Sequence, residues 1–205
     1  MKYIAVYFLI FFSLSLTCKG QDTIPSFDLR LLERLNHAAG PDDKKWLAVS
    51  NSLNFVVFAT PTVMGITGLA NHDNTLKNDA LQTGVSMAIT AVLTYSLKAI
   101  VKRKRPYIAY PKLITGKSTE TTYSFPSGHT SMAFATATAL SLSFPKWYVI
   151  APAYSYAVLV AYSRSYLGVH YPGDILAGAI IGTGSSFLTW KLQRAIHFGF
   201  KVPVK

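Results

Sequence analysis

A chain of 205 residues is long enough for one domain with a full core and too short to expect two. Half of its residues are hydrophobic and only 14% are charged, against roughly 25% in an ordinary soluble domain, which points to a membrane protein. A net charge of +11 fits nucleic acid, an anionic lipid surface or an acidic substrate. The basic residues gather at the ends of apolar runs and not in an aromatic-interleaved polar domain, and this argues against nucleic acid as a partner.

Residues 1–20, MKYIAVYFLIFFSLSLTCKG, carry one early lysine, an apolar stretch and small residues before Gln21. They read as a signal peptide cleaved after Gly20 or as a retained signal anchor. Cys18 is the only cysteine, so no disulfide framework is expected. Residues 21–45 form an N-terminal segment in which Phe27, Leu31, Leu35 and Ala38 or Ala39 recur at helical spacing. That pattern predicts an amphipathic helix with Ser26 as N-cap, Asp28 in the first turn and Gly40-Pro41 as the stop, lying on a membrane surface or packed on the rest.

Five runs free of Asp, Glu, Lys and Arg follow, at about 46–72, 80–97, 130–145, 147–163 and 175–190. Their lengths bracket the roughly 17–25 residues that cross a bilayer as a helix. Aromatic residues at the run ends, among them Trp46, Trp147 and Trp190, suit an interfacial belt. The frequent Ala, Gly, Ser and Thr of MAFATATALS and LAGAIIGTGSS let helices approach closely. The predicted fold class is therefore all-α: an integral-membrane bundle of about five transmembrane helices over residues 46–192, preceded by the amphipathic helix and followed by a basic tail at 193–205. A compact soluble all-helical protein is the alternative.

Three polar patches interrupt the apolar pattern. The first, KAIVKRKRP, ends the second run, with the helix expected to continue to about Arg105. On such a helix Lys98 and Arg105 share one face about 10 Å apart and can converge on one anion; the same residues also make a basic stop-transfer flank. The second, PSGHTS, opens the third run, where the N–H groups of Ser127 and Gly128 can cradle an anion beside His129. An ordinary helix start with an incidental histidine is the other reading. The third, SRSYLGVHYPGD, joins the fourth run to the fifth. It offers Arg164 as an anion ligand, His170 as a nucleophile and Asp174 in a helix first turn, where it orients the imidazole or simply caps. With one crossing per run, all three patches fall on the same side of the membrane.

Taken jointly, Lys98-x6-Arg105-Pro106, Pro126-Ser127-Gly128-His129 and Ser163-Arg164-x5-His170-x3-Asp174 resemble the three-part signature of the type-2 phosphatidic acid phosphatase and vanadium haloperoxidase superfamily. The segment YLGVHYPGDILAGAIIG looks like its membrane lipid-phosphatase branch. The resemblance implies that His170 attacks phosphorus, that Asp174 orients it and that His129 acts as general acid. Lys98, Arg105, Ser127, Gly128 and Arg164 would hold the phosphoryl oxygens, with no metal and no cofactor. It further implies a lipid phosphate or lipid diphosphate as substrate and a multi-pass protein of a bacterial inner membrane. Whether the leader is cleaved or retained as an anchor, the second run ends outside, so the site is expected to face the periplasm. A secreted soluble acid phosphatase of the same superfamily and a non-catalytic anionic-lipid binder are the competing readings. His37, His72 and His197 fall outside the pattern and receive no role.

Overall fold

The computed structural model of the chain describes residues 26–196; the expected leader at 1–20 and most of the basic tail lie outside them. Helix α1 (Phe27–Leu35) starts at Ser26, whose Oγ accepts from Leu29 N. It ends at Leu35, before the expected Gly40-Pro41 stop, and its buried face is Leu29, Leu32 and Asn36, not Phe27, Leu31 and Leu35. The face is set by what lies beneath it. Leu29 and Leu32 pack on Ile114 and Tyr171, whereas Phe27 is 74% exposed.

Two long antiparallel helices follow, α2 (Asp43–Ala70) and α3 (Asn74–Val101). Their turn is held by Asp73, whose carboxylate accepts from the Thr75 and Leu76 N–H groups. A short α4 (Pro106–Ala109), a loop, α5 (Gly128–Ser143), α6 (Trp147–Tyr166) and α7 (Pro172–Ile196) complete an all-helical chain with no strand among the described residues. The last helix continues past the expected boundary at 192.

Helices α2, α3 and α7 are long and apolar enough to cross a membrane by length and composition. Of the five expected crossings, the other two are shorter. Helix α6 has 20 residues and α5 only 16, about 30 and 24 Å, beside a hydrocarbon core of roughly 30 Å. Helix α5 is sheltered by its neighbours: it packs on α2, α3, α6 and α7, with Ala133, Ala135, Ala137 and Ala139 all buried.

Polarity is inverted relative to a soluble domain. Phe55 and Phe58 are 76% and 75% exposed, and Val63, Ile66, Leu69, Val92, Leu176 and Ile180 also face outward. Inside lie Ser50, Gln82, Thr83, Ser86, Thr90, Ser131 and Ser186. An outward apolar surface of this extent suits lipid contact, and several of the buried hydroxyls find partners within the bundle: Ser186 Oγ donates to Ala135 O at 2.8 Å and Thr90 Oγ1 to Ser86 O at 2.7 Å.

Helices α5 and α7 meet through glycine. A Cβ added at Gly182 would lie 2.1 Å from Ser131 O, and one at Gly178 would lie 2.7 Å from Ser127 O. The Gly-x-x-x-Gly spacing puts both on one face and lets the backbones touch. Gly182→Ala is therefore expected to force the helices apart and lower the melting temperature in detergent, by an overpacking cost of about 1–3 kcal/mol. Gly184→Ala, with nothing within 4 Å, is expected to be neutral or slightly stabilising. Equal melting temperatures for the two variants would refute this account of the contact.

Candidate active site

The three polar patches meet at one end of the bundle. A cavity of about 400 Å³ is lined by Lys98, Arg105, Gly128, His129 and His170, together with Glu120, Thr121 and Thr122 from the loop before α5. Arg164, Asp174 and Ser127 lie behind that lining and are almost wholly buried.

Lys98 and Arg105 converge, but not along one helix. Helix α3 ends at Val101, four residues before the expected end, because Lys102 takes a left-handed conformation (φ 51°) as C-cap. Arg105 is then extended, as a residue before proline prefers, and caps α4. The two side chains meet at the Tyr123 carbonyl, which accepts from Lys98 Nζ at 2.5 Å and from Arg105 Nη2 at 3.4 Å. Arg105 Nε also donates to Thr122 O at 2.8 Å.

Arg164 projects from the end of α6. Its Nη1 donates to Ser50 Oγ and its Nη2 pairs with the Glu120 carboxylate, while its Nε has no hydrogen-bond partner. Glu120 also lies 3.7 Å from Arg105 Nη2. Partial burial on its own would raise the Glu120 carboxyl, but Arg164 and Arg105 outweigh it and hold it below the usual range.

Ser127 departs from expectation. Its N–H is not free but donates to Asp174 O at 3.0 Å, and its Oγ caps α5 by accepting from Thr130 N at 3.4 Å. The bond fastens the start of α5 to the start of α7. The N–H groups of Gly128 and His129 remain at the open end of the helix. His129 itself is half-buried and faces Arg164, Glu120, Arg105 and Lys98.

His170 lies in the loop between α6 and α7, 1% exposed. Arg105 Nη1 approaches His170 Nε2 at 3.2 Å. A guanidinium only donates, so Nε2 carries the lone pair and Nδ1 the proton. Nδ1 faces Asp174 Oδ2 at 3.5 Å, within ion-pair range but without hydrogen-bond geometry. This tautomer directs a nucleophilic nitrogen toward the cavity.

Asp174 is more heavily engaged than a simple partner of His170. Its Oδ2 accepts from Ser124 Oγ at 2.5 Å and from Tyr171 N at 3.0 Å, the latter a return bond to the residue before the helix. Its Oδ1 accepts from Arg103 Nη1 at 2.7 Å. Arg103, Glu120, Ser124 and Asp28 join the site without belonging to the three-part sequence pattern. One signal was available for Glu120, since it and Asp174 are the only acidic residues after Asp79.

Burial, partly offset by Asp174, pushes the His170 imidazole down from 6.5 to about 3. Between those two values the unfolded chain takes up a proton that the folded chain refuses. His170 therefore has no effect on stability above about pH 6.5 and disfavours the fold progressively as pH falls toward 3. Melting in detergent at about pH 7 and about pH 4.5 is expected to show a smaller acid-induced drop for His170→Gln than for the parent. Equal drops would contradict the burial effect.

The pattern of the PAP2 superfamily matches residues 79–198, more than half of the chain. Over 109 residues the chain is 37% identical to an undecaprenyl-diphosphatase of Sulfolobus acidocaldarius, a stretch covering 53% of this chain and 52% of that protein. It is 37% identical over 87 residues to a lipid A 4'-phosphatase of Bacteroides thetaiotaomicron, covering 40% of this chain and 39% of that one. The chain thus spans about half the length, or less, of these relatives. Among solved structures, Aquifex aeolicus LpxE superposes with a TM-score of 0.71 at 29% identity, covering 83% of this chain and 99% of that one. A transmembrane PAP2-type phosphatidylglycerolphosphate phosphatase from Bacillus subtilis shares the fold, with a TM-score of 0.73 at 24% identity over 95% of this chain and 98% of its own. The protein is an all-helical, membrane-spanning chain, and it belongs to the PAP2 superfamily.

Proposed function

We propose that the protein is a metal-independent phosphatase that removes phosphate from a lipid phosphate or lipid diphosphate through a phosphohistidine. The observation that carries this reading is the two-sided cavity. One end holds Lys98, Arg105, His129 and His170; the other is lined by Leu53, Val57, Met132, Phe58 and Tyr95, of which Phe58 and Tyr95 also face the apolar exterior. An amphiphile with a phosphate head matches both ends.

In the proposed reaction the phosphoryl oxygens displace Glu120 from Arg105 and Arg164 and take up Lys98 and the N–H groups of Gly128 and His129. The Nε2 lone pair of His170 forms a bond to phosphorus as the bond from phosphorus to the lipid oxygen breaks, and His129 gives a proton to that oxygen. Water then attacks phosphorus, passing a proton to His129, and the bond from phosphorus to Nε2 breaks to release phosphate. Ser127 keeps α5 capped. The three cations and the helix N–H groups neutralise the charge of an in-line displacement, which is most of what phosphoryl transfer requires.

Phosphate release by the purified protein, in the presence of a chelator, is expected to fall to background in His170→Ala, a loss of about 10³-fold or more. His129→Ala is expected to cost about 10²–10⁴-fold. Unchanged turnover in His170→Ala would remove the mechanism, and parent activity abolished by chelator and restored by metal would remove metal independence.

We further propose that the site faces the periplasm from a bacterial inner membrane. Support comes from chain order: a cleaved leader and a retained anchor both leave α1 outside. Helix α1 docks at the site end of the bundle, where Asp28 binds Gly173 N and Arg103. With Cys18→Ser as background, an impermeant maleimide applied to spheroplasts is expected to label Lys112→Cys, on the exposed loop at the site end, and to spare Lys146→Cys in the α5–α6 turn. The reverse labelling would place the site in the cytoplasm.

A further inference from the structure

Arg103 sits in the run Lys102-Arg103-Lys104-Arg105, where a basic residue reads as a membrane flank. Its neighbours Lys102 and Lys104 are exposed, as a flank would be, but Arg103 is turned inward. One arm of its guanidinium donates to Asp174 Oδ1 at 2.7 Å and the other to Asp28 Oδ2 at 2.7 Å. The plane stacks 3.7 Å from the centre of the Tyr171 ring. Asp28 uses its second oxygen to accept from Gly173 N at 2.7 Å, the residue next to Asp174.

Asp174 is 0% exposed. An ionised carboxylate at that depth needs a countercharge and a full set of donors. His170 does not supply the charge, because burial keeps its imidazole neutral at ordinary pH. Among the described residues the cation in contact with Asp174 is Arg103. Arg103 does not line the cavity, and both arms of its guanidinium are taken by Asp174 and Asp28.

We propose that Arg103, clamped by Asp28 of the N-terminal helix, is a positioning residue that holds the Asp174 carboxylate in register with His170, which makes α1 a working part of the catalytic machinery. The inference rests on the phosphatase reading above. Two carboxylates bridged by one rigid fork require arginine, since lysine is a point charge that cannot make both parallel contacts. The interaction also explains why α1, which buries only Leu29, Leu32 and Asn36, carries a carboxylate on the side facing α7. Gly173 permits the approach, because a Cβ there would lie 3.0 Å from Asp28 Oδ2.

The test uses the full chain in detergent with phosphatidic acid as probe. Arg103→Met is expected to lower kcat by about 10- to 100-fold with KM within about twofold, the range typical of a lost outer-shell partner. Arg103→Lys is expected to recover part of the loss. Asp28→Asn, which keeps the shape of the side chain, is expected to lower kcat by a smaller factor, and its effect is expected to vanish in the Arg103→Met background. Lys104→Met removes the same charge from the flank and is expected to leave kcat and KM unchanged. Equal effects of Arg103→Met and Lys104→Met, or a rise in KM alone, would overturn the proposal; if Arg103→Met does not fold, Asp28→Asn decides.

A second readout is independent of turnover. In protein labelled with ¹⁵N-histidine, His170 of the parent is expected to show one tautomer, protonated at Nδ1, and Asp28→Asn is expected to shift it toward a mixture. Unchanged His170 nitrogen shifts would refute the role of the clamp even if the parent released no phosphate from any lipid phosphate. That last result would instead refute the phosphatase reading.

Discussion

The site depends on one buried negative charge. Asp174 has no access to water, and each of its bonds reaches a different segment: Arg103 just after α3, Ser124 just before α5, and the Tyr171 N–H at the start of α7. Its own carbonyl accepts from Ser127 N, the cap of α5. Placing a carboxylate in such surroundings costs several kcal/mol unless every partner is in position. Docking of the three polar patches and neutralisation of this charge are therefore a single event. A partly assembled site would carry the full desolvation penalty without the compensating bonds.

The bundle that supports this charge is held together by means available in lipid. Apolar side chains gain little from packing against one another when the surroundings are equally apolar, so close backbone approach and internal hydrogen bonds must carry the association. The contact of Gly178 and Gly182 with the Ser127–Ala135 stretch of α5 provides the first. Ser186, bonded to Ala135 O and Ser86 Oγ, and Gln82, bonded to Ser186 O, provide the second. The glycine contact and the Ser186 bond to Ala135 O fasten α5 to α7, whose first turns bear His129 and Asp174, and Ser86 and Gln82 tie α7 to α3. This close helix contact lies directly beneath the groups whose relative placement matters most.

How much of this was legible in sequence follows from range. Apolar runs, small-residue stripes and the spacing of the three patches are local patterns, and they gave the helices and the convergence of Lys98, Arg105, His129 and His170. The end of α3 carries no sequence mark because KAIVKRKRP has no glycine: Lys102 supplies the left-handed turn itself. The buried face of α1 differs from the expected one because Phe27, Leu31 and Leu35 recur at helical spacing, while the face that packs is selected by Ile114 and Tyr171, far away in the chain. Arg103 and Asp28 escaped notice for the same reason. Their partnership spans 75 residues, and nothing local distinguishes an inward arginine from the lysines on either side.

The distribution of bonds over loops and helices also separates what must stay fixed from what must exchange. The loop before α5 supplies most of the acceptors on the clustered cations, with the Glu120 carboxylate on Arg164 and Arg105 and the Thr122 and Tyr123 carbonyls on Arg105 and Lys98, while Ser50 Oγ on Arg164 and Val169 O on Arg105 come from α2 and the α6–α7 loop. The donors that hold Asp174 come from or adjoin helix ends. Three clustered cations repel one another and need anionic or carbonyl partners when no substrate is bound, and a loop can supply them and later withdraw without unpacking any helix. On the phosphatase reading, a phosphoryl group replaces one carboxylate with more negative charge and more oxygens. The unpartnered Nε of Arg164 fits that exchange, because the chain's own acceptors satisfy only the outer two nitrogens of the guanidinium, and a phosphoryl group has oxygens to spare for the third.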